Sequence, residues 1–207
     1  MKNIVNTYSF YLMLSVSLVS VLLSSSCTKE PNVENIIYNT YNKTFTTVPG
    51  AAIKIDSIDL NQDSKVDLMF RTKIAPALDS AICLLMSSNI AYHIDSTYNI
   101  GAVPPAPGLP IYMDNPLAKN QTPPVVTPGK ILWAGLYSFF AYKANTTVYG
   151  FAGAGDKYIA ILIINPLSHR FHYGWVRLNL SSDFKTLKVI DGAYNAIPDI
   201  PIAMGAK

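Results

Sequence analysis

Side chains that carry chemistry are scarce in this chain. Its 207 residues include two cysteines and three histidines, and the only glutamates are Glu30 and Glu34. Charged residues make up 14% of the chain and the net charge is +3, falling to +2 if a leader carrying Lys2 is removed, because residues 1–26 hold no acid. No basic run and no interleaved basic–aromatic pattern is present, which argues against a nucleic-acid partner. GxSxG, HExxH, CxxC and P-loop patterns are absent; residues 151–156 (FAGAGD) are glycine-rich but lack the GxGxxG order. A glycoside hydrolase needs a pair of carboxylates, and here it would have to use aspartates, since both glutamates follow the leader in a polar stretch. The expectation is a protein that is not an enzyme.

Apolar residues are plentiful: half of the chain is hydrophobic, enough for one sizeable core. The first concentration of them is residues 10–23 (FYLMLSVSLVSVLL), preceded by Lys2. This run is short for a bilayer span and has the length of a signal-peptide core. Ser24, Ser25 and Ser26 then lead directly into Cys27. The arrangement resembles a relaxed bacterial lipobox, with the usual leucine one position further from the cysteine, at Leu23. The resemblance implies cleavage before Cys27 and acylation of its sulfur; an ordinary secretory signal with an incidental cysteine, or an uncleaved anchor, is the alternative. Acyl chains contribute about 0.8 kcal/mol per buried methylene, so more than one chain holds a protein on a membrane without a spanning helix. The expected organisation is a signal peptide over residues 1–26, a tether and possible first strand over 27–50, and one domain over 51–207. The expected location is the bacterial cell envelope, on the outer membrane and facing the periplasm or the surface. Its partners would be the membrane through Cys27, and a glycan or an envelope protein. With Cys27 acylated, Cys83 has no disulfide partner and reads as a buried core thiol.

Strand patterns fill the rest. Residues 171–180 and 184–190 flank Ser181, Ser182 and Asp183 as a hairpin. Within 171–180, Tyr173 and Trp175 alternate with Val176, Leu178 and Leu180, so both faces are apolar and the strand is expected to be central. Residues 157–164 are apolar on both faces past Lys157, another central strand. Further strands are expected over 51–58, 66–74, 80–86, 89–94 and, from Gly135 and the density of aromatics, within 131–142. Eight prolines fall in residues 101–129, which therefore form an irregular insertion. Pro198 and Pro201 make the closing stretch irregular as well. The fold class is all-β: a single antiparallel β-sandwich, jelly-roll- or lectin-like. The run Tyr173-Gly174-Trp175-Val176-Arg177-Leu178, followed by Ala193-Tyr194, Pro198, Pro201-Ile202 and Gly205, resembles a C-terminal pattern of secreted bacterial β-proteins. It departs from that pattern at Asn195, where glutamate is usual. The resemblance implies secretion or lipid anchoring and no particular chemistry.

One spacing points to a metal. Asp59, Asn61, Asp63 and Asp67 place oxygen side chains at positions 1, 3, 5 and 9 of a loop, with the Lys65 carbonyl at 7, as a loop wrapping calcium does. It resembles the DxNxDGxxDL calcium loops of secreted β-proteins. Ser64 stands where such loops place glycine at positive φ, at a cost of about 1 kcal/mol, and no glutamate follows at position 12, so this is not an EF-hand. The alternative is an Asx-rich turn whose side chains bond their own backbone. His169 and His172 would point to opposite faces of a strand and are not expected to share a metal. His93 reads as a satisfied strand histidine, and Arg177 as a brace for something buried. Two functions stay open: a lipid-anchored envelope β-sandwich with a structural or interaction role, and a carbohydrate-binding module using aromatics with structural calcium.

Overall fold

The structure, a computed structural model, describes residues 35–207 apart from 51, 53, 76–77, 86–89, 94–115, 124, 126–132, 135–136, 145 and 166. These residues belong to one compact unit, Val33–Lys207; the leader, Cys27 and most of the proline-rich insertion lie outside them. The strands are β1 (Ile36–Thr46), β2 (Lys54–Ile58), β3 (Leu68–Ala75), β4 (Leu78–Leu85), β5 (Ile90–His93), β6 (Trp133–Ala134), β7 (Tyr137–Ala144), β8 (Thr147–Gly150), β9 (Asp156–Ile164), β10 (Phe171–Leu180) and β11 (Thr186–Asn195).

The fold is all-β. One sheet has six strands in the order β1-β11-β10-β9-β5-β6, the other five in the order β2-β3-β4-β7-β8, and every pairing is antiparallel. Consecutive hairpins stay within one sheet, β9–β10–β11 in the first and β2–β3–β4 in the second, while the chain crosses between the sheets four times, from β1 to β2, β4 to β5, β6 to β7 and β8 to β9. The possible first strand within residues 27–50 is β1, which pairs with β11. The two sheets share one core: Phe45, Val176, Leu178, Leu180, Leu187 and Ile161 from the six-stranded sheet pack with Ile58, Leu68, Phe70 and Phe140 from the other.

β10 is central, flanked by β9 and β11. Val176, Leu178 and Leu180 enter the shared core; Trp175, fully buried, faces the other way. That outer face is covered by a third layer. Ile202 and Met204 of the proline-bearing tail and Leu117 of the insertion pack on Trp175 and Tyr158. Leu117 and Tyr158 exchange backbone bonds of 2.8 and 3.4 Å, and the Met204 N–H donates to the Gln121 carbonyl at 2.9 Å.

The structure moves the start of the last strand. The strand expected over 184–190 begins at Thr186, and the turn takes in Phe184 at φ 60°. Its ring is 1% exposed; burying a phenylalanine, about 1.5–3 kcal/mol, outweighs the roughly 1–2 kcal/mol of a left-handed backbone. β11 carries a register shift against β10. Arg177 faces Asp191 while Leu178 faces Val189, so Ile190 is an extra residue, a bulge. Leu187 and Val189 therefore point into the shared core and Ala193 into the outer layer.

Candidate functional site at the mouth of the sandwich

The residues 59–67 join β2 to β3 and fold over one end of the six-stranded sheet. Leu60, fully buried, plugs the loop into the core against Gly192, where an added Cβ would lie 3.0 Å from the Leu60 Cδ1 and 3.0 Å from the Trp175 carbonyl oxygen. The side-chain amide of Asn39 on β1 donates to the Leu60 carbonyl at 2.8 Å. The loop closes with the Asp67 N–H donating to Ile58 at 3.0 Å.

Within the loop the oxygen side chains accept backbone N–H groups. Asp59 accepts from Asp63 (3.2 Å) and Ser64 (2.7 Å), Asn61 from Asp63 (3.0 Å), and Asp63 from Lys65 (2.9 Å). Asp67 Oδ2 accepts from Leu60 (2.7 Å) and Asn61 (3.2 Å). This is an Asx-turn network. Ser64 has φ 69°, the left-handed conformation read from its place in the loop, and Gln62 has φ 59°. Among the described residues no three His, Cys, Asp or Glu side chains are gathered to hold a metal. The candidate ligands Asp59, Asn61, Asp63, Lys65 and Asp67 thus share one loop, with its carboxylates turned largely to their own backbone.

A cavity of about 360 Å³ lies between this loop and the sheet, with Asn61, Asp63, Lys65 and Asp67 on one wall and Ile37, Ile163, His172 and Tyr194 on the other. His172 and Tyr194 come from the ends of β10 and β11, at positions directed to the inner side of the sheet. His172 lies opposite Ile163, a core residue, and Tyr194 packs against the core. Inner positions elsewhere on these strands are aliphatic or glycine, so polar heads here mark the open end of the sandwich. His172 Nδ1 lies 2.9 Å from the Asn195 carbonyl. A carbonyl only accepts, so Nδ1 carries the proton and the lone pair of the neutral ring sits on Nε2.

The cavity is electronegative. Asp67 is 5% exposed, and burial holds its carboxyl above the usual range, with Asp59 and Asp63 adding to that against the pull of the Leu60 and Asn61 N–H groups. Burial likewise raises the Tyr194 phenol, and the charges of Asp67 and Asp59 raise it further. Neither His172 nor Tyr194 is marked for this place by the sequence. The signal available for His172 is parity with Val176, Leu178 and Leu180; Tyr194 depends on the bulge at Ile190.

Other expected residues fall elsewhere. Arg177 is a brace: its Nε and Nη2 donate to Asp191 Oδ1 and Oδ2 at 2.9 and 2.7 Å. Burial disfavours its charge, but those bonds outweigh it and raise its pKa. His169 sits in the β9–β10 turn at φ 54°, apart from His172. Cys83 lies in β4 opposite Phe70, and His93 in β5 opposite Trp133. Trp175 is core and not an exposed platform.

Fold and site together define an all-β sandwich with a polar, electronegative cavity at one open end. No known protein family matches the chain, and no curated protein and no solved structure matches it.

Proposed function

We propose that this is a lipid-anchored protein of the bacterial cell envelope, a β-sandwich whose role is to bind rather than to transform, with the cavity at its mouth as the point of contact. The observation that carries the reading is Cys27 placed directly behind a signal-length apolar run, ahead of a strand-built body. Acyl chains on that sulfur keep the domain at a membrane surface. Labelled palmitate should enter the wild-type protein and not Cys27→Ala, and the variant should leave the membrane fraction. Label persisting in Cys27→Ala would overturn the anchor.

A second reading, a glycan-binding module with structural calcium, is favoured by one feature: Ser64 takes the left-handed conformation that a cation loop needs at its sixth position. Asp59, Asn61, Asp63, Asp67 and the Lys65 carbonyl would supply the oxygens. A thermal midpoint raised by calcium and lost in Asp63→Asn, with glycan-array binding that needs calcium, would support it; no shift and no binding would remove it.

A further inference from the structure

The mouth cavity offers hydrogen-bond acceptors from two independent parts of the fold. On the loop wall, Asp67 spends Oδ2 on the Leu60 and Asn61 N–H groups, while its Oδ1 takes no hydrogen bond among the described residues. Asp63 spends Oδ1 on the Lys65 N–H. On the sheet wall, His172 has its proton fixed on Nδ1 by the Asn195 carbonyl, which leaves Nε2 an acceptor when neutral, and Tyr194 adds a hydroxyl. Ile37 and Ile163 give the same cavity an apolar side. Its volume, about 360 Å³, falls within the roughly 300–1,000 Å³ of small-molecule sites.

This lining selects by charge. An anion would meet Asp63 and Asp67 with only Lys65 to offset them. A purely apolar ligand would take water from a carboxylate and return nothing. Calcium wants roughly six to eight oxygens at one point, a demand that the sheet wall of this cavity, with its imidazole, phenol and aliphatic carbons, does not meet. An ammonium has three donors, needs one carboxylate and two ordinary acceptors, and tolerates their being spread across a cavity.

Building on the reading of this protein as an envelope binding module, we infer that the cavity is a binding site for a small organic cation carrying a primary ammonium, on an aliphatic or sugar body. The ammonium pairs with Asp67, with Tyr194 and His172 as further acceptors, and the body lies on Ile37 and Ile163.

The test uses the full chain in detergent and follows the ring resonances of His172 and Tyr194 by NMR. Four organic probes are titrated in matched pairs, n-butylamine against n-butanol and glucosamine against glucose, with calcium chloride as a fifth arm. Saturable shifts are expected from at least one amine and not from its neutral partner, and the pair that responds tells an aliphatic body from a sugar. Asp67→Asn should weaken amine binding at least tenfold while its thermal midpoint stays level or rises, which separates lost binding from lost fold. Asp63→Asn gives the same reading if Asp67→Asn does not fold. Absence of saturable shifts with either amine, equal response to amine and neutral partner, or saturation by calcium alone overturns the inference. None of these readouts depends on membrane association, so the anchor at Cys27 stands or falls separately.

Discussion

Replacing Asp191 by alanine tests how the outer face of the six-stranded sheet is held. Asp191 has a side chain 2% exposed and receives both arms of Arg177, at 2.9 and 2.7 Å, and the Tyr38 hydroxyl at 2.8 Å. Lys207 Nζ lies 3.6 Å from the same carboxylate and donates to the Tyr38 hydroxyl at 2.8 Å, so the closing tail is tied in too. Removing one partner of a buried pair costs about 3–5 kcal/mol, because the other charge is left uncompensated. Two features lower that figure here: the Arg177 side chain is 27% exposed, and Asp156 remains 3.6 Å from its Nη1. A loss of about 2–4 kcal/mol is expected for Asp191→Ala. For a domain of this size about 1 kcal/mol moves the midpoint by about 2–4 °C, which gives a drop of about 4–16 °C. Urea unfolding and calorimetry would read it. The double replacement Arg177→Leu with Asp191→Leu should recover much of the loss, since the desolvation cost leaves with the charges. A loss below about 0.5 kcal/mol for Asp191→Ala, the range of an ordinary surface change, would refute the brace.

Two further outcomes follow from the same reasoning. The folded Asp67 carboxyl holds its proton more tightly than the reference value of 3.8, so its ionisation penalises the folded state. That penalty is absent below the unfolded pKa and grows as pH rises through the raised one. Asp67→Asn keeps an acceptor for the Leu60 and Asn61 N–H groups, so it should match wild type near pH 3 and exceed it at pH 7 in urea unfolding. A variant weaker at pH 7 than at pH 3, relative to wild type, would contradict this. Gly150 has φ 84° and an added Cβ would lie 2.2 Å from the Phe140 carbonyl oxygen. Gly150→Ala should cost more than the roughly 1–2 kcal/mol of left-handed strain alone, and a thermal midpoint within a degree of wild type would rule that out.

Two strands of the six-stranded sheet were legible because their residues are apolar on both faces. β9 and β10 read as central strands over residues 157–164 and 171–180, and they are central. The second apolar face found its explanation only in the structure, where Leu117, Ile202 and Met204 form a third layer. The five-stranded sheet was harder to bound, since β2 is short and alternates weakly. At the site, the loop residues Asp59 to Asp67 were visible by spacing alone, and the left-handed Ser64 followed from its position. The sheet wall was not visible. His172 is polar at an inward parity, which reads equally as an exposed strand residue until the open end is located. Tyr194 turns inward only because Ile190 bulges, and nothing local distinguishes Ile190 from a paired strand residue.

What is attached at residue 27 decides whether this protein is held at a membrane. Intact-mass and peptide analysis of the protein extracted from membranes measures it directly. A mature chain beginning at Cys27, heavier than its sequence by the mass of acyl chains borne on that residue, is the predicted result. A chain that retains residues 1–26, or one that carries a free thiol at Cys27, would contradict lipid anchoring.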